Sequence, residues 1–161
     1  MKKALTPSFE NFYDKIKEIL ESARNRSYMA VNFEMVQAYW NIGRSIVEEE
    51  QAGRERAEYG KYLLSNLSIR LTAEYGKGFD YRNLAYMRQF YQTFPNMNAL
   101  RSELSWTHYR ILIRVDREQA REFYLQECVE GNWSTRQLER QINSLYFERI
   151  LMSSKKGRPL V

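Results

Sequence analysis

Proline and glycine, the residues that force a backbone to turn, are scarce in this chain, and most of them stand where a helix would begin or end. There are three prolines and seven glycines in 161 residues. Thr6-Pro7 pairs a capping residue with proline at a first helical position, Gly76 follows an apolar-periodic stretch, and Pro95 closes another. Between such marks the apolar residues recur every three or four positions, the period of a helix rather than of a strand. The chain is therefore expected to be all-α, a multi-helix bundle with helix-turn-helix-like segments.

The pattern predicts a first helix with Phe9, Phe12, Tyr13, Ile16, Ile19, Leu20 and Ala23 along one face and Glu10, Asp14, Lys17, Glu18 and Glu21 on the other. A second helix is expected after a kink near Asn25–Ser27. On it Met29, Phe33, Val36, Trp40, Gly43 and Val47 form a heptad-like seam, beside a stripe of Met35, Tyr39, Ile42 and Ile46. So wide an apolar arc is covered on two sides, either centrally in a bundle or against a second copy. In the latter case Met29, Phe33, Val36, Trp40 and Val47 are the candidate oligomer interface.

From about Arg56 to Tyr75 the next helix presents Gly60, Leu63, Leu64, Leu67, Leu71 and Tyr75, and Gly76 suits a left-handed C-terminal cap. Asp80 caps a helix whose inward side is Leu84, Met87, Tyr91 and Phe94, with Phe79 stapled to Leu84. After a loop over residues 95–104, Ser105 caps a short helix and Asp116 the next, which ends at Gly131-Asn132. Ser134 with Gln137 is a capping box, Trp133 with Leu138 a staple, and the last helix runs to about Leu151 with Leu138, Ile142, Leu145 and Ile150 inward. The expected organisation is a helical domain over residues 1–151, divisible into 1–95 and 96–151, then a basic linker-like tail over 152–161.

Composition narrows the chemistry. No apolar run approaches the roughly 18 residues that span a bilayer, so no membrane partner is expected. The single cysteine, Cys128, excludes an intramolecular disulfide and fits a reducing, cytoplasmic address. His108 is the only histidine, which excludes a site needing two; Cys-x-x-Cys and His-Glu-x-x-His are absent, and Gly76-Lys77-Gly78 lacks the spacing and preceding strand of a phosphate loop. No catalytic residue, metal ligand or cofactor is expected.

Charge points to an anionic partner. The net charge is +5, and the excess is uneven: residues 1–53 carry seven basic and eight acidic groups, residues 134–161 six and two. Two segments have a helix-turn-helix layout. In Leu63–Phe94 the second helix turns Arg82, Tyr86, Gln89 and Thr93 outward, with Arg88 and Gln92 beside them. In Ser105–Leu151 the last helix shows Arg136, Arg140 and Asn143, with Ser134 and Thr135 at its start. Arginine and glutamine make bidentate contacts to guanine and adenine edges, and a helix N-terminus attracts phosphate. Such stripes are also what any solvated helix displays. The candidate DNA-binding residues are Arg82, Tyr86, Arg88, Gln89, Thr135, Arg136, Arg140 and Asn143. The order Ser105-Trp106-Thr107-His108-Tyr109 then Ser134-Thr135-Arg136-Gln137-Leu138-Glu139 resembles the DNA-reading region of ParB-like partition proteins.

A broader likeness covers residues 10 to 151. Tyr39-Trp40-Asn41-Ile42-Gly43-Arg44, Ala57-Glu58-Tyr59-Gly60-Lys61, Gly76-Lys77-Gly78-Phe79, Met87-Arg88-Gln89-Phe90-Tyr91, Leu104-Ser105-Trp106-Thr107-His108-Tyr109 and Trp133-Ser134-Thr135-Arg136-Gln137-Leu138 are among its stretches. In these the chain resembles the N-terminal domain of the YhcG family. The resemblance implies a helical domain joined to a C-terminal PD-(D/E)xK nuclease domain, and hence a DNA-associated role. That nuclease domain is expected to lie outside this chain, so no catalytic residue carries over. The expected function is a DNA-binding module that positions a nuclease; the alternative is an interaction or homodimerisation module without direct DNA contact.

Overall fold

A computed structural model describes residues 7–53 and 57–155. Its helices are α1 (Pro7–Ala52), α2 (Ala57–Tyr75), α3 (Tyr81–Thr93), α4 (Trp106–Leu112), α5 (Glu118–Gly131), α6 (Thr135–Asn143) and α7 (Tyr146–Lys155), with one 3-10 turn at Met97–Ala99. There is no strand among the described residues. The all-α expectation holds.

The first two expected helices are one. α1 runs unbroken for 46 residues, about 69 Å at 1.5 Å per residue. Asn25-Arg26-Ser27 has modest helix propensity but contains neither proline nor glycine, so nothing sterically opposes the i→i−4 ladder there. The two halves of α1 differ in surroundings. Residues 7–31 are all exposed apart from Ala23, whereas Val36, Trp40, Gly43 and Ile46 are buried. The apolar seam of the second half faces this chain's own core.

That core is built of rings. Val36 and Trp40 of α1 join Phe90, Phe94, Tyr109, Leu112, Tyr124, Cys128, Leu138 and Phe147 in one buried cluster. Phe90 lies 5.2 Å from Trp106 and 4.9 Å from Tyr109, centroid to centroid. The Trp40 indole Nε1–H donates to the Phe94 carbonyl at 2.6 Å, tying α1 to the end of α3. The Tyr109 hydroxyl accepts the Arg101 N–H at 2.7 Å, and burial pushes that phenol up to about 12. A smaller cluster of Ile46, Leu64, Leu84 and Met87 joins α1, α2 and α3.

Local signals placed most boundaries. Asp80 accepts the Asn83 N–H at 2.7 Å, Gly76 adopts φ +83° after α2, and Ser105 and Ser134 form capping boxes with His108 and Gln137. Four expectations need correction. Asp116 does not cap α5; Arg117 occupies that position without a side-chain cap. On α3 the fully buried ring is Phe90, with Tyr91 only half-buried, because α1 and α4 cover the helix on two sides. Tyr75 is not inward but 66% exposed, against Phe79 at 6.1 Å. The expected last helix is two, broken at Leu145, whose φ is +58°. The break turns Leu145 out to solvent and lets Phe147 enter the core instead, beside Phe123 and Tyr124.

Candidate nucleic-acid interface

α5 and α6 are separated by only Asn132, Trp133 and Ser134. Asn132 takes the left-handed conformation that ends α5, one residue beyond Gly131. Ser134 then starts α6: its Oγ accepts the Gln137 N–H at 3.1 Å, and Gln137 Oε1 accepts the Ser134 N–H at 2.7 Å. With the Leu138 N–H donating to the Ser134 carbonyl, the amides of Thr135 and Arg136 are those left at the N-terminus.

The turn is held from α4 by His108. Its Nε2 lies 2.8 Å from the Trp133 carbonyl, while Nδ1 lies 2.8 Å from Ser105 Oγ and accepts the Ser105 N–H at 3.2 Å. Since a carbonyl only accepts, the Nε2–H tautomer satisfies all three contacts. The lone histidine is thus a strut that sets where α6 begins. His108→Ala leaves the Trp133 carbonyl and the Ser105 N–H unpartnered and should cost roughly 2 kcal/mol; urea unfolding would show it as a lower midpoint.

On α6, Leu138 is buried while Arg136, Arg140 and Asn143 are exposed. Together with Glu139 and Ser144 they line a shallow surface depression. Neither Arg136 nor Arg140 has an ion-pair partner among the described residues. Thr135 is half-buried at the helix start. Arg114, in the turn after α4, reaches Glu139 at 3.8 Å and adds a third guanidinium beside this face. Sequence reasoning passed over Arg114 because it lies outside α6, 22 positions before Arg136.

The α3 stripe is engaged differently. Arg88 pairs with Glu50 of α1 at 3.0 Å, and Gln89 Nε2 donates to the Ile113 carbonyl at 3.1 Å. Arg82 is exposed and donates to the Tyr86 hydroxyl at 3.2 Å. Arg110 lies over the Tyr86 ring at 4.7 Å. The hydrogen bond from Arg82 is the largest influence drawing the Tyr86 phenol below its ordinary value. Two of the four α3 candidates are therefore occupied in joining helices.

The candidate oligomer face is divided. Val36 and Trp40 are in the core and Phe33 packs against it; Met29 is 47% exposed and Val47 partly so. Val36 and Trp40 thus do not offer a surface to a second chain. Burial pushes the Cys128 thiol up to about 12, which leaves it unreactive near neutral pH. Among the described residues no group of three or more His, Cys, Asp or Glu side chains is gathered to hold a metal, and no helix is long and apolar enough to cross a membrane.

The family described as the DUF1016 N-terminal domain matches residues 15–149, and the chain belongs to it. It is similar to the Escherichia coli (strain K12) protein named "Putative nuclease YhcG", with 34% identity over 187 aligned residues covering 96% of this chain and 50% of that protein. The chain thus spans about half the length of this curated relative. No solved structure matches it.

Proposed function

We propose that this chain is a DNA-binding module that positions a nuclease, with α6 as the element that meets the duplex. One observation carries the reading: α6 starts from a three-residue turn braced by His108 and presents Arg136, Arg140 and Asn143 to solvent. A helix-turn-helix reader needs that layout, an N-terminus held at a fixed angle with basic and amide side chains beyond it. The relative's printed name, a nuclease, supports a DNA context, and the order of motifs around His108 and Ser134 supports the same helix.

In this reading the guanidiniums of Arg136 and Arg140 contact phosphate or guanine edges, and the Thr135 and Arg136 amides add a dipole that favours phosphate. Arg114 contributes further positive charge from the turn after α4. On α3, Arg82 and Tyr86 with Arg110 form a secondary patch, while Arg88 and Gln89 act mainly as braces. Titration of labelled duplex, followed by fluorescence anisotropy, should show binding that weakens steeply as salt rises. Absence of binding at low salt would refute the reading.

The module is proposed to be non-catalytic alone. Plasmid incubated with the 161-residue chain and a divalent metal should remain supercoiled, as judged by gel electrophoresis. Cleavage dependent on the protein would overturn that assignment.

A further inference from the structure

Among the described residues, nothing packs beneath the first half of α1, which is an amphipathic helix. Phe12, Tyr13, Ile16, Ile19 and Leu20 are 60, 55, 40, 55 and 58% exposed. They share a stripe with Ala23, and Glu10, Asp14, Lys17, Glu18 and Glu21 occupy the opposite side. Contact with the core begins at Phe33 and Val36, so residues 7–28 form an arm about 33 Å long. A continuous apolar stripe of this length marks an interaction surface.

We propose that the arm pairs with the arm of a second copy of this chain, antiparallel, across a two-fold axis between Lys17 and Glu18. Positions 9, 12, 16, 19 and 23 are spaced alternately by three and four. A seam of that period supplies both knobs and holes, and under a two-fold axis it complements itself. In this register Ile16 faces Ile19 of the second copy, and the large Phe12 ring faces the small Ala23.

Charge and bulk select the orientation. A parallel pair sets Arg26 against Arg26 within the seam and crowds two folded bodies at one end. The antiparallel pair brings Arg26 beside the Phe9 ring, where a guanidinium is favourable, and sends the bodies to opposite ends. Its overlap, residues 7–28, uses the whole arm and none of the packed half of α1. The area reaches the lower bound of a stable interface: with on the order of 100 Å² exposed by each of Phe9, Phe12, Tyr13, Ile16, Ile19 and Leu20, two arms that cover these side chains fully bury about 1,200 Å² in total.

This proposal uses other residues than the nucleic-acid reading and stands or falls separately. Light scattering on the 161-residue chain across a concentration series should give twice the 19.4 kDa chain mass. Ile16→Lys with Ile19→Lys should give the monomer mass while leaving the melting temperature of the body unchanged, since neither side chain touches the core. Orientation is read by oxidising a mixture of a Phe12→Cys chain with an Ala23→Cys chain, which should form the mixed disulfide in preference to either homodimer. The proposal is overturned by a wild-type chain that stays monomeric. It is equally overturned by a dimer that survives both lysines, or by Phe12→Cys linking mainly to itself.

Discussion

Gly43→Ala should destabilise the protein by about 3 kcal/mol, although the same change in an exposed helix gains about 1 kcal/mol. Gly43 is buried in the C-terminal part of α1, where the backbone of α3 presses against it. A methyl there would collide with the Met87 carbonyl group, its carbon 2.7 Å away, and stand 3.3 Å from the Arg88 nitrogen. These are backbone atoms of a helix anchored on both sides, so they cannot swing aside as a side-chain tip would. Leu84, Met87 and Phe90 are fully buried around the contact. The Arg88–Glu50 pair and the Trp40–Phe94 bond pin the two helices on either side of it. Relief requires α1 and α3 to separate, opening the rings beneath. Thermal unfolding followed by circular dichroism should show a melting temperature lower by roughly 6–12 °C. Gly131→Ala is the control: its methyl meets the Trp133 ring at 2.7 Å, a side chain able to shift, and the loss should be smaller. A Gly43→Ala protein as stable as the parent would contradict the close approach of these two helices.

The boundaries legible in the sequence were those set by local chemistry. Asp80, Ser105 and Ser134 satisfy amides within three residues of themselves, and Gly76 and Pro95 act through their own backbone geometry. None of these needs a distant partner to be recognised. The misread features depend on neighbours far along the chain. Asn25–Ser27 stays helical because nothing breaks it, and the core begins only at Phe33. Leu145 takes a left-handed conformation that no residue type announces; it is there because Phe147 is drawn onto Phe123 and Tyr124, with Arg149 holding the Ser144 carbonyl at 3.1 Å. Phe90 was missed because a single-stripe reading of α3 allowed for one packing partner and the helix has three, α1, α2 and α4.

The candidate site divides along the same line. That Arg136, Arg140 and Asn143 face solvent was readable because a strong cap fixes where α6 starts, and Leu138 then fixes which side is in. Arg88 and Gln89 lie on a helix read as well, yet their partners, Glu50 and the Ile113 carbonyl, are 38 and 24 residues away. The partner of His108 was hidden for the same reason, since the Trp133 carbonyl is 25 positions downstream. The apolar stripe of the α1 arm was legible as a pattern but its exposure was not, because periodicity reports amphipathicity without saying what covers it.

Replacing Arg136 and Arg140 together by alanine should weaken duplex binding by about one to two orders of magnitude, the loss of two charge-assisted contacts. It should also flatten the salt dependence, by about 0.9 in the slope for each phosphate contact removed. Both side chains are exposed and project from a helix held by Leu138, Ser134 and His108, so the fold should be unaffected. Arg82→Ala should cost less. Arg88→Ala should act mainly on stability, through Glu50. The decisive measurement is the anisotropy titration of one labelled duplex at two salt concentrations, with wild type, Arg136→Ala/Arg140→Ala and Arg82→Ala/Arg88→Ala side by side. The α6 assignment predicts salt-sensitive binding that the first double variant largely removes and the second largely keeps. Unchanged affinity in the first with loss in the second would move the interface to α3, and no binding by the wild-type chain at low salt would contradict the account altogether.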